Sequence, residues 1–179
     1  MRRLEWRLYK AGHCRQIEKL SCAAAPWRLC NFPALAGLIT HPEHGHILFD
    51  TGYAPQFFDA TSRFPERAYR MMTPVTLVGG ERLADQLGAD GIDAADVGAV
   101  VVSHFHADHI AGVTDFPVAR MFCAREGWDV MRSMGRFAGV RRGLLPGLLP
   151  GDFGARATFF EELPVVSLPK GLAPFEAGF

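Results

Sequence analysis

Three histidines and one aspartate occur within six residues of this sequence. His104, His106, Asp108 and His109 lie in the segment SHFHADHIAG, directly after the apolar run VGAVVV. Alternate residues of an extended chain point the same way, so His104 and His106 can bind one ion together. A turn into a helix near Asp108 would place Asp108 and His109 at a second position close by. Imidazole and carboxylate ligands suit zinc, and also iron or manganese. The cluster predicts a metal site.

Two metal ions in such a site have a defined chemistry. Ions about 3.5–4 Å apart can share a hydroxide whose parent water has a pKa lowered to roughly 7, and they can polarise a carbonyl or phosphoryl oxygen. No histidine follows His109 in the sequence. The remaining carboxylates Asp115, Asp129 and Asp152 have no metal-site context, and we expect them to be solvated loop or helix residues.

A second histidine group precedes the cluster by about sixty residues. His41, His44 and His46 occur in HPEHGHILFD, between two strand-like runs at 34–40 and 47–50. A Pro- and Gly-containing stretch between such runs predicts a β-hairpin turn. Asp50 is roughly 13 Å along the second strand from His46, at about 3.3 Å per residue. We therefore interpret the three histidines as a solvated turn.

The elements that position the cluster can be predicted from local patterns. Residues 97–102 form a continuous β-branched run, typical of a strand that is buried on both faces. Helical spacing of apolar residues predicts helices at 81–88 and 125–134. The other expected elements are strands at 4–9 and 117–122, two short strands within 157–168, and loops at 20–33 and from 138 onward.

Composition excludes several classes of function. Apolar residues make up 49% and charged residues 21%, a balance typical of globular proteins. Lys and Arg together number 19, as do Asp and Glu, so bulk charge indicates no nucleic-acid partner. No apolar run approaches the ~20 residues of a membrane span, and no signal-peptide core follows the N-terminal arginines. The four cysteines show no C-x-x-C pairing, so we expect reduced thiols and a cytoplasmic location.

The cluster and its context resemble a known family. SHFHADH matches the H-x-H-x-D-H motif of the metallo-β-lactamase superfamily, and ILFDTG and VGAVVV match its neighbouring strands, over about residues 34–122. By that resemblance His104 and His106 belong to a first metal site. Asp108 and His109 belong to a second, and Asp108 also has a catalytic role. Asp50 would be an outer carboxylate that braces the ligand loop.

The resemblance also implies a fold and an activity. The implied fold is α+β, the N-terminal part of an αβ/βα sandwich whose mixed, largely antiparallel sheet carries helices on one face. The implied function is metal-dependent hydrolysis with two zinc ions, on a small ester or lactone substrate. SHFHADHIAGVTDF and AREGW are most similar to the lactonase-like branch, which opens acyl-homoserine lactones. Thioester hydrolysis of the glyoxalase II type, phosphodiester hydrolysis and a non-catalytic role remain open.

The chain departs from the family pattern after His109. Family members complete the site with a later Gly-His motif, a bridging aspartate and a final histidine, and neither histidine is present here. We expect residues 1–179 to be a single domain truncated before the third metal-binding histidine. It would need its C-terminal half or a complementary chain to cover an apolar sheet face. The residues expected on that face are Ile47, Phe49, Val100 and Val102.

An aromatic stretch follows the Asp-Thr-Gly turn. YAPQFF and RFPERAYRMM lie at positions that flank the active-site mouth in the resembled fold. Two interpretations stay open for these side chains, an apolar acyl pocket and ordinary core or lid packing. The residues concerned are Phe57, Phe58, Phe64, Tyr69 and Met72.

Overall fold

The structure, a computed structural model, describes residues 4–164. Within them, strands β1 to β7 form one sheet in the order β4-β1-β2-β3-β5-β6-β7. The strands are β1 (Glu5–Ile17), β2 (Leu29–His41), β3 (Gly45–Phe49), β4 (Val75–Thr76), β5 (Val97–Val101), β6 (Arg120–Cys123) and β7 (Ala157–Phe159).

Helices connect and cover these strands. The α-helices are α1 (Glu18–Ser21), α2 (Gln56–Ala60), α3 (Glu66–Met72), α4 (Leu83–Ala89), α5 (Ala107–Ile110), α6 (Arg125–Ser133), α7 (Arg136–Arg142) and α8 (Phe153–Arg156). Short 3-10 turns cover Ala94–Asp96, Val113–Asp115, Pro146–Leu148 and Phe160–Glu162. Among residues 4–164, no helix is both long and apolar enough to span a membrane.

The sheet changes character at β3. Strand β1 pairs antiparallel with β2 and β4, and β2 pairs antiparallel with β3 through the predicted hairpin. Strands β3, β5, β6 and β7 are parallel, because helical crossovers return the chain to the same end of the sheet. The two long strands β1 and β2 make the paired length mostly antiparallel, as predicted. The parallel half brings the ends of β3 and β5 side by side.

Within residues 4–164, one face of the sheet is covered and the other is not. Leu38, Leu48, Val100 and Met121 form a buried row across four strands, according to the pairing register. They share a core with the buried faces of the helices. The prediction that β5 is buried on both faces was wrong, since Val101 is half-buried on the other side. The prediction that Val100 and Val102 lie on the uncovered face was also wrong, because both are fully buried.

The opposite face exposes large apolar side chains. Register places Trp6, Leu8 and Phe49 on this side, with exposed fractions of 71%, 56% and 47%. Leu35, Ile39 and Ile47 lie on it as well, and Ile47 and Phe49 were predicted there. We call this surface the uncovered sheet face; its residues are Trp6, Leu8, Leu35, Gly37, Ile39, Ile47, Phe49, Ala99, Val101 and Phe122.

Several element boundaries differ from the sequence prediction. The first strand continues to Ile17, and the predicted loop at 20–33 already contains the start of β2. Long-range pairing between β1 and β2 extends both strands through segments that lack alternating polarity. Helix α7 occupies the predicted Gly/Pro-rich loop. Of the two strands predicted at 157–168, β7 is present and residues from 165 lie outside the described range.

The cysteines are unpaired, as predicted. All four are free thiols. Cys123 is buried at the end of β6, Cys14 and Cys30 are half-buried, and Cys22 is exposed. The sheet is therefore held by packing and hydrogen bonds without disulfide cross-links.

Candidate metal centre

The histidine cluster lies at the carboxyl end of β5. The strand ends at Val101, and helix α5 begins at Ala107. His104 and His106 lie in the loop between them, and Asp108 and His109 form the first turn of α5. The ring centroid of His104 lies 4.7 Å from that of His106 and 3.9 Å from that of His109. The structure thus brings the predicted ligands into one cleft. Their role as metal ligands remains a prediction.

Asp50 connects the end of β3 to this cleft. Its backbone has φ of 60°, the one positive value at a non-glycine position within residues 4–164. Aspartate tolerates this left-handed conformation better than most residues. The buried carboxylate accepts hydrogen bonds from the Ser103 N–H (2.8 Å), the Ser103 hydroxyl (2.7 Å) and His109 Nδ1 (2.7 Å). Asp50 therefore fixes both the start of the ligand loop and one of its rings.

Thr51 and Gly112 fasten the other end of the ligand loop. The Thr51 N–H and hydroxyl both donate to the His109 carbonyl at 2.8 Å. The Gly112 N–H donates to the Thr51 hydroxyl oxygen. A Cβ atom at Gly112 would lie 2.9 Å from the Thr51 carbonyl oxygen, so only glycine permits this approach. The sequence segments DTG and HIAG are thereby joined into one rigid unit.

His104 and His106 present two lone pairs to each other. The Ser103 hydroxyl gives its proton to Asp50, so at 3.1 Å it accepts from His104 Nδ1, and His104 Nε2 keeps its lone pair. His106 Nε2 donates to the Arg142 carbonyl at 3.1 Å, so His106 Nδ1 is also unprotonated. These two nitrogens lie 3.1 Å apart. Facing lone pairs at this distance repel each other unless a cation lies between them.

His109 and Asp108 form a second pair. His109 Nε2 lies 3.3 Å from Asp108 Oδ2, while Nδ1 donates to Asp50. Burial lowers the pKa of His109, but hydrogen bonds and charges from Asp108 and Asp50 outweigh it and raise the pKa to about 9. Burial lowers the pKa of His104, and the neighbouring rings of His109 and His106 lower it further. The cleft therefore favours positive charge at His109 and disfavours it at His104.

The donor set fits divalent metal ions as two pairs. Two ligands about 2.0–2.1 Å from one tetrahedral ion lie roughly 3.3 Å apart, close to the 3.1 Å between His104 Nε2 and His106 Nδ1. The pair His109 Nε2 and Asp108 Oδ2 has a similar separation of 3.3 Å. Among the described residues, no three His, Cys, Asp or Glu side chains are arranged around a single point. Each predicted metal position would therefore have two protein donors within residues 4–164.

The other carboxylates considered from sequence lie elsewhere. The expectation that Asp115 is solvated was wrong: it is buried, and Arg82 contacts both of its carboxylate oxygens, at 2.6 and 2.8 Å. This ion pair satisfies the carboxylate without a metal. Asp129 and Asp152 are exposed and pair with arginines of their own helical segments, as expected of solvated residues.

The histidines at 41–46 are placed in the β2–β3 turn, away from the cleft. His41 Nδ1 accepts from the N–H groups of Glu43 and His44, at 3.0 and 3.1 Å. His46 Nδ1 lies 3.1 Å from the Thr40 hydroxyl. These nitrogens bind their own turn, as the hairpin interpretation predicted.

The aromatic stretch after the Asp-Thr-Gly turn does not share one environment. Phe57 is fully buried in the core, while Phe64 and Met72 are exposed. Tyr69 is half-buried, packs edge-on against the Phe57 ring, and reaches the segment that contacts His106. Packing therefore accounts for Phe57, and Tyr69 lies beside Gly143, which also faces the His106 ring.

Sequence reasoning missed three contributors to the centre. Ser103 bridges Asp50 and His104, the Arg142 carbonyl binds His106, and Gly143 ends α7 beside the His106 ring. Ser103 lies inside the quoted motif and could have been noticed. The contribution of residues 142–143 had no local signal, because a backbone carbonyl is present at every position.

Comparisons with known proteins identify the family of this chain. Residues 31–178 match the profile of the Metallo-beta-lactamase superfamily. The chain is 34% identical over 102 residues to N-acyl homoserine lactonase AttM of Agrobacterium fabrum, covering 57% of this chain and 38% of that protein. It is 31% identical over 84 residues to the probable metallo-hydrolase Rv2300c of Mycobacterium tuberculosis, covering 47% and 26%. The matches thus span about a quarter to two-fifths of these curated relatives.

Solved structures share the fold. An N-acyl homoserine lactone hydrolase with the product N-hexanoyl-L-homoserine at its catalytic metal centre superposes with a TM-score of 0.65 at 21% identity, covering 86% of this chain and 58% of that chain. The dizinc quorum-quenching lactonase AidC superposes with a TM-score of 0.60 at 17% identity, covering 91% and 60%. At these identities the likeness establishes a common fold.

Proposed function

The chain belongs to the metallo-beta-lactamase superfamily, and from that premise we propose that it contributes the H-x-H-x-D-H half of a two-metal hydrolase acting on an ester or lactone. His104 and His106 would hold one ion, and Asp108 and His109 the other. The observation that carries this proposal is the 3.1 Å distance between His104 Nε2 and His106 Nδ1, because the outer hydrogen bonds of the two rings assign a lone pair to each of these nitrogens. A shared cation removes the repulsion between them.

The side chains around the ligands have separate tasks. Asp50 holds the proton on His109 Nδ1 and thereby directs Nε2 towards Asp108. The Arg142 carbonyl does the same for His106 Nε2, and it directs Nδ1 towards His104. When bound, zinc or a similar ion would supply Lewis-acid polarisation of the substrate carbonyl and a more acidic water. Asp108, which would hold one ion together with His109, is also the residue we assign to catalysis.

Two ligands per ion leave each position short of protein donors. Catalytic zinc usually has three protein ligands and one water. We infer that the remaining ligands come from residues outside 4–164 or from another polypeptide, and that residues 4–164 bind metal weakly without them. The uncovered sheet face supports the same inference, because exposed apolar patches larger than a few hundred Å² mark contact surfaces. A complementary segment would therefore supply donors and bury Trp6, Leu8 and Phe49 together.

The substrate class is proposed from the relatives. AttM is named an N-acyl homoserine lactonase, and the superposed hydrolase contains N-hexanoyl-L-homoserine at its metal centre. We propose that the complete centre opens an N-acyl homoserine lactone. The leaving alkoxide of a lactone remains part of the product, so hydrolysis yields a single N-acyl homoserine.

One experiment separates the parts of this proposal. Zinc is titrated calorimetrically into the 179-residue chain and its His106→Ala variant, while sedimentation reports self-association and a lactone assay reports turnover. We expect weak zinc binding that His106→Ala reduces further, self-association, and little turnover. Equal zinc binding by both chains would overturn the assignment of His106. Metal-dependent turnover by a monodisperse monomer would show that no complementary segment is needed.

A further inference from the structure

We propose that the C-terminal turn of α7, Arg142–Leu144, is a positioning element that sets the tautomer and direction of His106. The inference rests on the proposed function only in treating His106 as a metal ligand. The turn lies 36 residues beyond His106 along the chain and contacts it in three ways. No part of the H-x-H-x-D-H motif encodes these contacts.

The first contact uses a free end of the helix. The last carbonyl groups of an α-helix accept no hydrogen bond from N–H groups of the same helix, so they need donors from outside it. The Arg142 carbonyl takes its hydrogen bond from His106 Nε2 at 3.1 Å. Since a carbonyl can only accept, this bond selects the Nε2–H tautomer and leaves the Nδ1 lone pair directed at His104.

The second and third contacts fix the turn itself. Leu144 forms an isolated antiparallel bridge with His106, so the two backbones are held side by side. Gly143 has φ of 72° and lies against the imidazole: a Cβ there would be 3.4 Å from His106 Cδ2 and 3.6 Å from the Tyr69 ring. The left-handed conformation at Gly143 ends α7 and turns the Arg142 carbonyl towards His106.

The other end of α7 anchors the turn to α3. Arg136 forms a bidentate ion pair with Glu66, and the Phe64 and Phe137 rings meet edge-on at 6.0 Å. Tyr69 on α3 faces Gly143 at the opposite end. The two helices therefore lie side by side in the same direction, and α3 prevents α7 from sliding away from the ligand.

The conformation of Gly143 supplies the test. Gly143→Val places a β-branched residue at a left-handed position and should shift the turn. Gly143→Asn should leave the turn in place, because asparagine tolerates the left-handed conformation. Gly135→Val is the matched control at the start of α7, where φ is −70° and no atom lies within 4 Å of an added Cβ. Ring nitrogen resonances of His106 are recorded on the metal-free chains in alkaline solution, where neutral imidazole tautomers are distinguished.

We expect His106 to be the Nε2–H tautomer in the wild-type, Gly143→Asn and Gly135→Val chains, and a mixture of tautomers in Gly143→Val. Cobalt affinity, measured by absorbance, should fall about 10- to 100-fold in Gly143→Val alone, as for other residues that orient metal ligands. An Nδ1–H tautomer in the wild-type chain would overturn the proposal even if Gly143→Val does not fold. So would loss of the Nε2–H tautomer in Gly143→Asn.

The two readouts distinguish this inference from the proposed function. If the tautomers follow the expected pattern but no chain binds cobalt, the turn positions His106 and the metal assignment is wrong. If all chains bind cobalt equally, the metal assignment stands and the positioning role is wrong.

Discussion

Two histidine-rich segments lie at opposite ends of strand β3, and their ring nitrogens have different partners. HPEHGH (41–46) and HFHADH (104–109) each contain three histidines in six residues. In the first, His41 Nδ1 accepts from the N–H groups of Glu43 and His44 in its own turn. In the second, a buried aspartate, a serine hydroxyl and a helix carbonyl occupy the outer nitrogens and leave the inner ones facing each other.

The difference lies in the partners of the ring nitrogens. Spacing brings rings near one another, but partners on the far side of each ring decide which nitrogen keeps its lone pair. The 41–46 segment obtains its partners from a hairpin turn and therefore uses its nitrogens locally. The 104–109 segment obtains them from the ends of β3, β5 and α7, and so its nitrogens remain available in the cleft.

The largest expected difference is in metal binding. The double variant His104→Ala, His106→Ala removes both proposed donors of one metal position. The affinity of one metal-binding step should therefore fall by more than the ~100-fold loss expected when a residue that orients a ligand is removed. The matched variant His41→Ala, His44→Ala should bind metal like the wild type. Calorimetric titration with zinc checks both. Comparable losses in the two double variants would mean that the clusters are equivalent.

The backbone at the two ends of β3 should differ in tolerance. Gly52 has φ of 67°, and an added Cβ would lie 2.3 Å from the Ala11 Cβ. Gly52→Ala should lower the free energy of unfolding by about 2–5 kcal/mol, from roughly 1–2 of left-handed strain and roughly 1–3 of overpacking. Gly45 has φ of 70° and open space around it, so Gly45→Ala should lower the free energy of unfolding by only about 1–2 kcal/mol. Urea denaturation of both variants tests this, and equal losses would contradict it.

Asp50 sharpens the comparison through the charge and the hydrogen bonds of its carboxylate. Asp50→Asn keeps the side-chain shape and tolerates the positive φ. It replaces one acceptor oxygen by an NH2 group, which cannot accept a hydrogen bond from His109 or Ser103. Zinc affinity should fall about 10- to 100-fold. Titrations at matched ionic strength measure this change, with a thermal melt to verify folding. Unchanged affinity in a folded Asp50→Asn chain would remove Asp50 from the centre.

The smallest expected effect concerns two matched hydroxyls. Ser103 Oγ lies 3.1 Å from His104 Nδ1, and Thr40 Oγ1 lies 3.1 Å from His46 Nδ1. Ser103→Ala should weaken zinc binding about fivefold, since one hydrogen bond contributes about 1 kcal/mol. Thr40→Val should leave zinc binding unchanged. A larger effect from Thr40→Val than from Ser103→Ala would reverse the proposed distinction.

Local sequence determined much of this protein. The H-x-H-x-D-H spacing, the Asp-Thr-Gly turn and the β-branched run before the cluster predicted the ligands, the outer carboxylate and the strand that carries them. Two strand-like runs around turn residues predicted the β2–β3 hairpin, and helical spacing predicted α4 and α6. These features were predictable because strand alternation, turn chemistry and ligand spacing depend on residues close together in the chain.

Tertiary structure decided the rest. Asp115 is buried because Arg82, 33 residues earlier, folds against it, and Val100 is covered because β5 presents that side to the helices. Helix α7 brings the Arg142 carbonyl to His106, which no local pattern marks. The sequence by itself predicted which residues carry the chemistry. The fold decided which nitrogen of each ring faces the cleft, because that choice depends on partners from distant segments.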